Sequence, residues 1–525
     1  MPKVLIADEL SPRAVEIFRE RGIETDVRVG LKPDELKAII GQYDGLAVRS
    51  ATKVTKPVIA EAARLKVIGR AGIGVDNIDL PAATARGIVV MNTPFGNSIT
   101  TAEHAIALLL ALARQVPAAD RSTQAGKWEK TRFMGVELTG KVLGVIGCGN
   151  IGSIVADRAL GLKMKVAAYD PFLSEDRAVT LGVEKVELDE IFARADFITL
   201  HTPMTDATRN IIDRAALDRM KPGVRIVNCA RGGLIVEADL IAALNSGKVA
   251  GAAIDVFPTE PARESAFFGR DDVICTPHLG AATLEAQENV ALQVAEQMAD
   301  FLLTGAVVNA LNMPSLSAEE AVRLKPYMKL AEQLGSFAGQ MVEQGVAAIT
   351  IEYEGHVTAL NTRPLSAIVL TGVLRPMTET VNMVNAPVLC RERDIRVTEA
   401  KLDGDSDYQT LIRVTVEGAG RTTAIAGTLF GGDKPRLVEV EGIAMEAELG
   451  PHVLFVRNQD KPGFIGNLGR TLGDGGINIA TFHLGRHGPD QDAIALIQVD
   501  QPLNDALLDN VRSIPHVVQV KGLRF

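Results

Sequence analysis

The chain runs to 525 residues, 47% hydrophobic, 23% charged and 4% aromatic, enough for several domains with sizeable cores at roughly 100 to 200 residues each. Its 55 Lys and Arg against 65 Asp and Glu give a net charge of −10 with no long basic run, which argues against a dedicated nucleic-acid or membrane-surface binder. Cys148, Cys229, Cys275 and Cys390 are scattered without CxxC spacing, so neither a disulfide framework nor a metal cluster is expected, and a reducing cytoplasm fits.

Met1-Pro2-Lys3 passes at once into Val4-Leu5-Ile6-Ala7, a short buried strand rather than the apolar region of a signal peptide. No apolar run approaches the ~18 residues of a membrane span. Through the first 310 residues short apolar runs alternate with amphipathic stretches, the pattern of βα units around parallel sheets. The fold class expected is therefore α/β, with two doubly wound parallel sheets. Strands of the first are predicted at 3–7, 45–48, 66–68 and 87–91. Those of the second are predicted at 142–146, 165–169, 197–200, 225–228, 251–255 and 273–275. The stretch 101–114, apolar on most faces, reads as a helix buried between them.

A long helix is predicted over 284–303, after which Val308-Asn309-Ala310 can return to the first sheet and make its domain discontinuous. Met313–Ser317 is the linker candidate. The region 318–450 mixes a helix at 326–344 with strand-like runs at 348–353 and 411–416. The last segment reads β (453–457), α (463–472), β (477–484), β (493–499), α (504–512), β (517–520), a ferredoxin-like βαββαβ unit.

The most informative motif is Gly147-Cys148-Gly149-Asn150-Ile151-Gly152, because a strand precedes it and a helix follows. Gly147 permits the tight turn, Gly149 lets a pyrophosphate approach the backbone, and Gly152 allows close helix-to-strand packing. The helix N-terminus offers free N–H groups to phosphate. Asp170 ends the next strand, where it can accept hydrogen bonds from ribose hydroxyls and repel a 2′-phosphate, so NAD is favoured over NADP.

Three loops at predicted strand ends of the same sheet carry ionisable groups: Asn228-Cys229-Ala230-Arg231-Gly232-Gly233, Asp255–Pro261 and Thr276-Pro277-His278-Leu279-Gly280. Carboxyl ends of strands border the ligand crevice, so these loops should converge beside a nicotinamide. Oxidising a secondary alcohol needs a base for the hydroxyl proton, a cation for a carboxylate and developing carbonyl, and a group that tunes the base. His278, Arg231 and Glu260 suit those tasks. A carboxylate hydrogen-bonded to the imidazole favours its charged form and fixes the ring.

These motifs resemble the D-isomer-specific 2-hydroxyacid dehydrogenases over residues 1 to about 310. The resemblance implies cofactor contacts at Asn150, Ile151, Thr202, Cys229, Ala230, Asp255, Gly280 and Ala281. It implies substrate or nicotinamide contacts at Arg49, Ser50, Gly72, Ile73 and Asn77, some through backbone N–H groups. Arg70, Lys130 and Arg132 are further cation candidates for a phosphorylated substrate, and the loop holding Lys130 and Arg132 resembles one that reaches a neighbouring subunit. A homodimer or homotetramer is implied.

Asn458–Gly463 with Gly475–Ile479 resembles an ACT module, which senses amino acids; by that resemblance Asn458, Asp460 and Asn478 would contact a serine effector, although Asn458 stands where histidine or tyrosine is often found. The implied order is a substrate-binding domain (1–98 plus 281–312), an NAD-binding domain (99–280), an intervening domain (313–450) and an ACT domain (451–525). That is the order of family members that oxidise 3-phospho-D-glycerate to 3-phosphohydroxypyruvate with NAD in serine biosynthesis, so this reaction is expected. Two other readings stay open: a reductase of glyoxylate, hydroxypyruvate or 2-oxoglutarate, and a non-enzymatic NAD-sensing regulatory protein.

Overall fold

Five short strands form an all-parallel sheet in the order Glu24–Val27, Lys3–Ile6, Gly45–Val48, Val67–Arg70, Val89–Met91. The strand not anticipated is Glu24–Val27, at the edge, whose side chains are exposed or half-buried; a strand that covers no core needs no apolar run. The computed structural model describes residues 1–316, 318–342, 345–378, 380–402, 407–418, 420–488 and 491–525. Ser317 of the expected linker, with residues 343 and 344 at the expected end of the third region's helix, lies outside the described residues.

Helix Leu284–Thr304 lays Val290, Val294 and Met298 on Val4, Ile6, Val67 and Val89 of this sheet. Met91 then bridges Ala310, and the Leu311 N–H donates to the Val90 carbonyl at 2.9 Å. Leu316, inside the expected linker, is buried and bridges Val307, so this connection is packed rather than loose.

The second sheet has seven parallel strands in the order Val273–Cys275, Val249–Ile254, Val224–Asn228, Phe197–Leu200, Val142–Ile146, Lys165–Tyr169, Glu184–Lys185. Strand order reverses between Phe197–Leu200 and Val142–Ile146, and at such a switch point the carboxyl ends open a ligand crevice. Helix Ser98–Arg114 buries Ala102, Ala105, Leu109 and Leu112 against Val155, Ala156 and Ala159 of helix Asn150–Gly161. Among the described residues no helix is long and apolar enough to cross a membrane.

A six-stranded mixed sheet follows, ordered Arg396–Leu402, Ala348–Gly355, Thr410–Gly418, Arg421–Phe430, Lys434–Val440, Ile443–Ala447, with one parallel pair at its edge. Its long helix, Ala318–Met341, starts well before the expected Pro326, which it carries inside. The helix crosses Arg363–Leu374 with backbones in contact: a Cβ on Gly372 would lie 2.6 Å from the Gly335 carbonyl carbon, and one on Gly335 2.5 Å from the Val369 oxygen.

The last unit is an antiparallel sheet ordered Ile479–Arg486, Asp492–Val499, His452–Gln459, Val517–Arg524. Helices Phe464–Asp474 and Asp505–Arg512 cover one face with Leu468, Leu472, Leu508 and Val511. The chain order is βαββαβ, as expected, and the final strand continues past Val520 to Arg524.

Candidate active site

Gly147 has φ +91°, and a Cβ there would lie 2.6 Å from the His201 carbonyl oxygen; one on Gly152 would lie 1.9 Å from that of Gly147. Gly149, by contrast, faces open space at the N-cap of helix Asn150–Gly161, whose first-turn N–H groups have no intrahelical acceptor. That is the cradle a pyrophosphate needs. Asp170 Oδ2 accepts from the Cys148 N–H at 2.8 Å and Oδ1 from the Phe172 N–H at 2.8 Å. Each carboxylate oxygen keeps a further lone pair for a ribose hydroxyl. Burial, with the charge of Asp170, pushes the Cys148 thiol up to about 11, and burial also raises Cys229, so neither adds a thiolate near the phosphates. Asn150 reaches back to the Pro94 carbonyl at 3.4 Å, Ile151 packs into the core beneath, and the Thr202 backbone nitrogen lies beside Gly147.

Arg231 follows strand Val224–Asn228 in a turn built by buried Asn228, which accepts from the Ala230 N–H at 3.0 Å and donates to the Arg231 carbonyl at 2.9 Å. Arg231 Nη1 donates to the Ala230 carbonyl at 2.7 Å. Its Nε donates to Asp76 Oδ2 at 2.9 Å, a bond that crosses from the second sheet to a loop of the first.

His278 Nδ1 lies 2.7 Å from Glu260 Oε2, and Glu260 Oε1 accepts from the Phe257 N–H at 3.0 Å. With the carboxylate as acceptor, Nδ1 carries hydrogen and Nε2 keeps its lone pair. Burial pushes the Glu260 carboxyl upward, but the His278 and Phe257 hydrogen bonds outweigh it and hold the group below the usual carboxylate range. Arg231, Glu260, His278, Asp76, Asn77 and Lys53 line one cleft of about 660 Å³.

Arg70 presents a buried Nε with no hydrogen-bond partner. Burial, with repulsion from Arg231, pulls its guanidinium down to about 10. Among the described residues no carboxylate forms an ion pair with it, Asp76 and Asp8 attracting it only from beyond contact, and a desolvated cation so placed suits an anion.

Other candidates spend their polar groups on the frame. Buried Asp8 accepts from the Arg49 N–H at 2.6 Å and the Thr52 hydroxyl at 2.6 Å, and Asn77 Nδ2 donates to the Arg49 and Thr52 carbonyls, both at 2.7 Å. Together they brace the loop that exposes Ser50. The Gly72 N–H donates to Thr93 Oγ1 at 2.7 Å, and the Ile73 carbonyl accepts from Asn92 at 2.6 Å. Asp255 is wholly buried, and the Gly280 N–H donates to it at 3.0 Å, with Ala281 half-buried beyond.

Arg132 is held by Asp271 at 2.7 Å and Glu129 at 2.9 Å and does not line the cleft; Lys130 is exposed. In the βαββαβ unit Asp460 pairs with Arg486 at 2.6 Å and Asn478 donates to Asp500 at 2.6 Å, whereas Asn458 is buried with Oδ1 unpartnered. Lys53, Asp76 and Asn228 were not singled out from sequence. Their signal was only adjacency to the glycine-rich and arginine-bearing loops.

Residues 106–280 match the family model of the D-isomer specific 2-hydroxyacid dehydrogenase NAD binding domain. Residues 323–441 match the D-3-phosphoglycerate dehydrogenase intervening domain. The chain is 42% identical over 516 residues to D-3-phosphoglycerate dehydrogenase of Synechocystis sp., covering 98% of this chain and 93% of that protein. It is 40% identical over 524 residues to D-3-phosphoglycerate dehydrogenase of Bacillus subtilis, covering 99% of each.

The chain belongs to the D-3-phosphoglycerate dehydrogenase family.

It is accordingly an NAD-dependent oxidoreductase of the D-2-hydroxyacid class. Among solved structures, a Thermus thermophilus protein matches with a TM-score of 0.55 at 34% identity, over 59% of this chain and 99% of its own. The mixed-sheet unit falls largely within the matched intervening domain, and the Bacillus subtilis relative aligns along the chain through the βαββαβ unit as well.

Proposed function

We propose that this chain oxidises 3-phospho-D-glycerate at C2 to 3-phosphohydroxypyruvate, the first step of L-serine biosynthesis, with NAD as oxidant. The observation that carries the reading is the meeting of Arg231 with the Glu260–His278 pair across one cleft. NAD, which the Gly147–Gly152 turn and Asp170 would hold, would supply the acceptor for the hydride leaving C2. His278 Nε2 accepts the hydroxyl proton, while Glu260 keeps Nδ1 protonated and offsets the charge that the ring gains. Arg231 has Nη donors left for the substrate carboxylate and developing carbonyl oxygen. Lys53, which lines the cleft, and Arg70 and Arg49, whose charges are felt together with that of Arg231, supply the positive field that a substrate with both carboxylate and phosphate requires.

The domain order stated at the outset is part of this proposal, as is a homodimer or larger assembly in the cytoplasm. Trp128 and Met134, 88% and 74% exposed, flank Lys130 and Arg132 and support a subunit contact there. Serine as effector is supported by the βαββαβ fold, with Asp460 and Asn478 at its loops.

The experiment follows the absorbance of NADH with 3-phosphoglycerate and in reverse with phosphohydroxypyruvate. His278→Ala should lose most turnover yet bind NAD. Undiminished turnover removes His278 from the mechanism, and turnover of glyoxylate or 2-oxoglutarate with none of 3-phosphoglycerate overturns the substrate.

A further inference from the structure

The loop that carries His278 is gripped by a helix with no part in the chemistry above. Asp255 Oδ1 accepts from Thr276 Oγ1 at 2.6 Å and the Leu279 N–H at 2.7 Å, Oδ2 from the Gly280 N–H at 3.0 Å, and its carbonyl from the His278 N–H at 2.8 Å. Burial pushes the Asp255 carboxyl upward, but hydrogen bonds from His104, Thr276 and Leu279 hold it low, so a buried anion organises the loop.

His104 Nε2 lies 3.3 Å from Asp255 Oδ1 and 3.4 Å from Thr276 Oγ1. Thr276 spends its proton on Asp255, so Nε2 is the donor. One turn earlier Thr101 Oγ1 donates to the Gly280 carbonyl at 2.7 Å. Residues three apart share a helix face, and both therefore hold the same loop from helix Ser98–Arg114. Cys229 also lies within 4.8 Å of this group, but burial raises its thiol away from the thiolate form, and Asp255 Oδ1 already faces donors from Thr276, Leu279 and His104, so the set is a hydrogen-bond frame.

Within that frame His278 sits at φ +55°, a left-handed conformation that a residue with a Cβ keeps only where its surroundings over-determine it. We propose that Thr101 and His104 are positioning residues that, through Asp255 and Thr276, hold the His278 loop in its reactive orientation. The helix begins just after the chain crosses from the first sheet to the second, so the grip ties the base to the element that connects the two lobes. The proposal rests on His278 being the base.

The test compares His104→Ala, His104→Gln and Thr101→Val in the full-length enzyme, reading kcat, KM for both substrates, NADH binding and melting temperature. Displacing a base by about 1 Å costs up to roughly 100-fold, so kcat should fall about 10- to 100-fold in His104→Ala with KM and melting little changed. Thr101→Val should fall in the same direction, and His104→Gln, whose amide Nε2 can still donate, should recover most turnover. Undiminished kcat in His104→Ala and Thr101→Val overturns the proposal, as does loss without recovery in His104→Gln or loss that tracks melting temperature. Full activity in His104→Ala with none in His278→Ala refutes the grip alone; full activity in His278→Ala refutes the base itself.

Discussion

Asp76 occupies one edge of the Arg231 guanidinium, Oδ2 to Nε at 2.9 Å, in the cleft that His278 and Glu260 also line. The pair joins the two lobes, and the acid is the more exposed partner. Such a pair contributes little to stability, about 0 to 1 kcal/mol. Its effect falls instead on an incoming anion, which meets a carboxylate beside the cation that should receive it.

Asp76→Asn should therefore lower KM for 3-phosphoglycerate by about three- to tenfold at low ionic strength, less in high salt, with kcat little changed. Initial-rate kinetics at two salt concentrations check this. A higher KM would mean that Asp76 serves chiefly to orient Arg231.

Arg70 gives a trade between stability and binding. Its guanidinium is depressed to about 10, so the folded state disfavours its charge at every pH below that value, and an anion relieves the strain. Arg70→Met should melt at the same temperature as the parent or a few degrees higher without ligand, lose the stabilisation that phosphate confers, and show KM for substrate raised about 100-fold. Melting curves with and without phosphate decide it; a phosphate response equal to that of the parent would place the anion elsewhere.

Glu260 lies low because His278 and the Phe257 N–H favour its carboxylate over the cost of burial. A depressed carboxyl contributes stability fully above its ordinary pKa and loses that contribution as pH falls through the lowered folded value. The stability difference between parent and Glu260→Gln should be flat near neutrality and shrink below about pH 4. Turnover in Glu260→Gln should fall about 100- to 1,000-fold at neutral pH, since the neutral amide cannot stabilise the charged ring. Equal acid sensitivity in both proteins would rule out the carboxylate.

The contact of Ala318–Met341 with Arg363–Leu374 leaves no room for a methyl group. Gly372→Ala should destabilise by about 1 to 3 kcal/mol, read as a lower melting temperature, because backbone rather than a flexible side chain must give way. A neutral result would mean that the helices can slide apart freely.

Much of the architecture was legible because parallel strands buried on both faces are written as unbroken apolar runs, Val142–Ile146 and Gly45–Val48 among them. The glycine-rich turn was legible because each glycine answers a separate steric demand. Glu24–Val27 was not, since an edge strand is paired by backbone and its side chains face water. Nor could the sequence say how polar groups are spent. Asn77, expected to meet substrate or nicotinamide, closes its hydrogen bonds on the Arg49–Thr52 loop, and Arg132 turns to Asp271. Which partner a side chain takes depends on distances that only the folded chain sets.

The return of helix Leu284–Thr304 to the first sheet has a consequence for biogenesis. Val290, Val294 and Met298 are the lid over Val4, Ile6, Val67 and Val89, so a nascent chain halted after the second sheet would leave that apolar face uncovered. The first lobe can close only once the ribosome has passed the helix, and until then its open face is where a chaperone, or another unfinished chain, would bind.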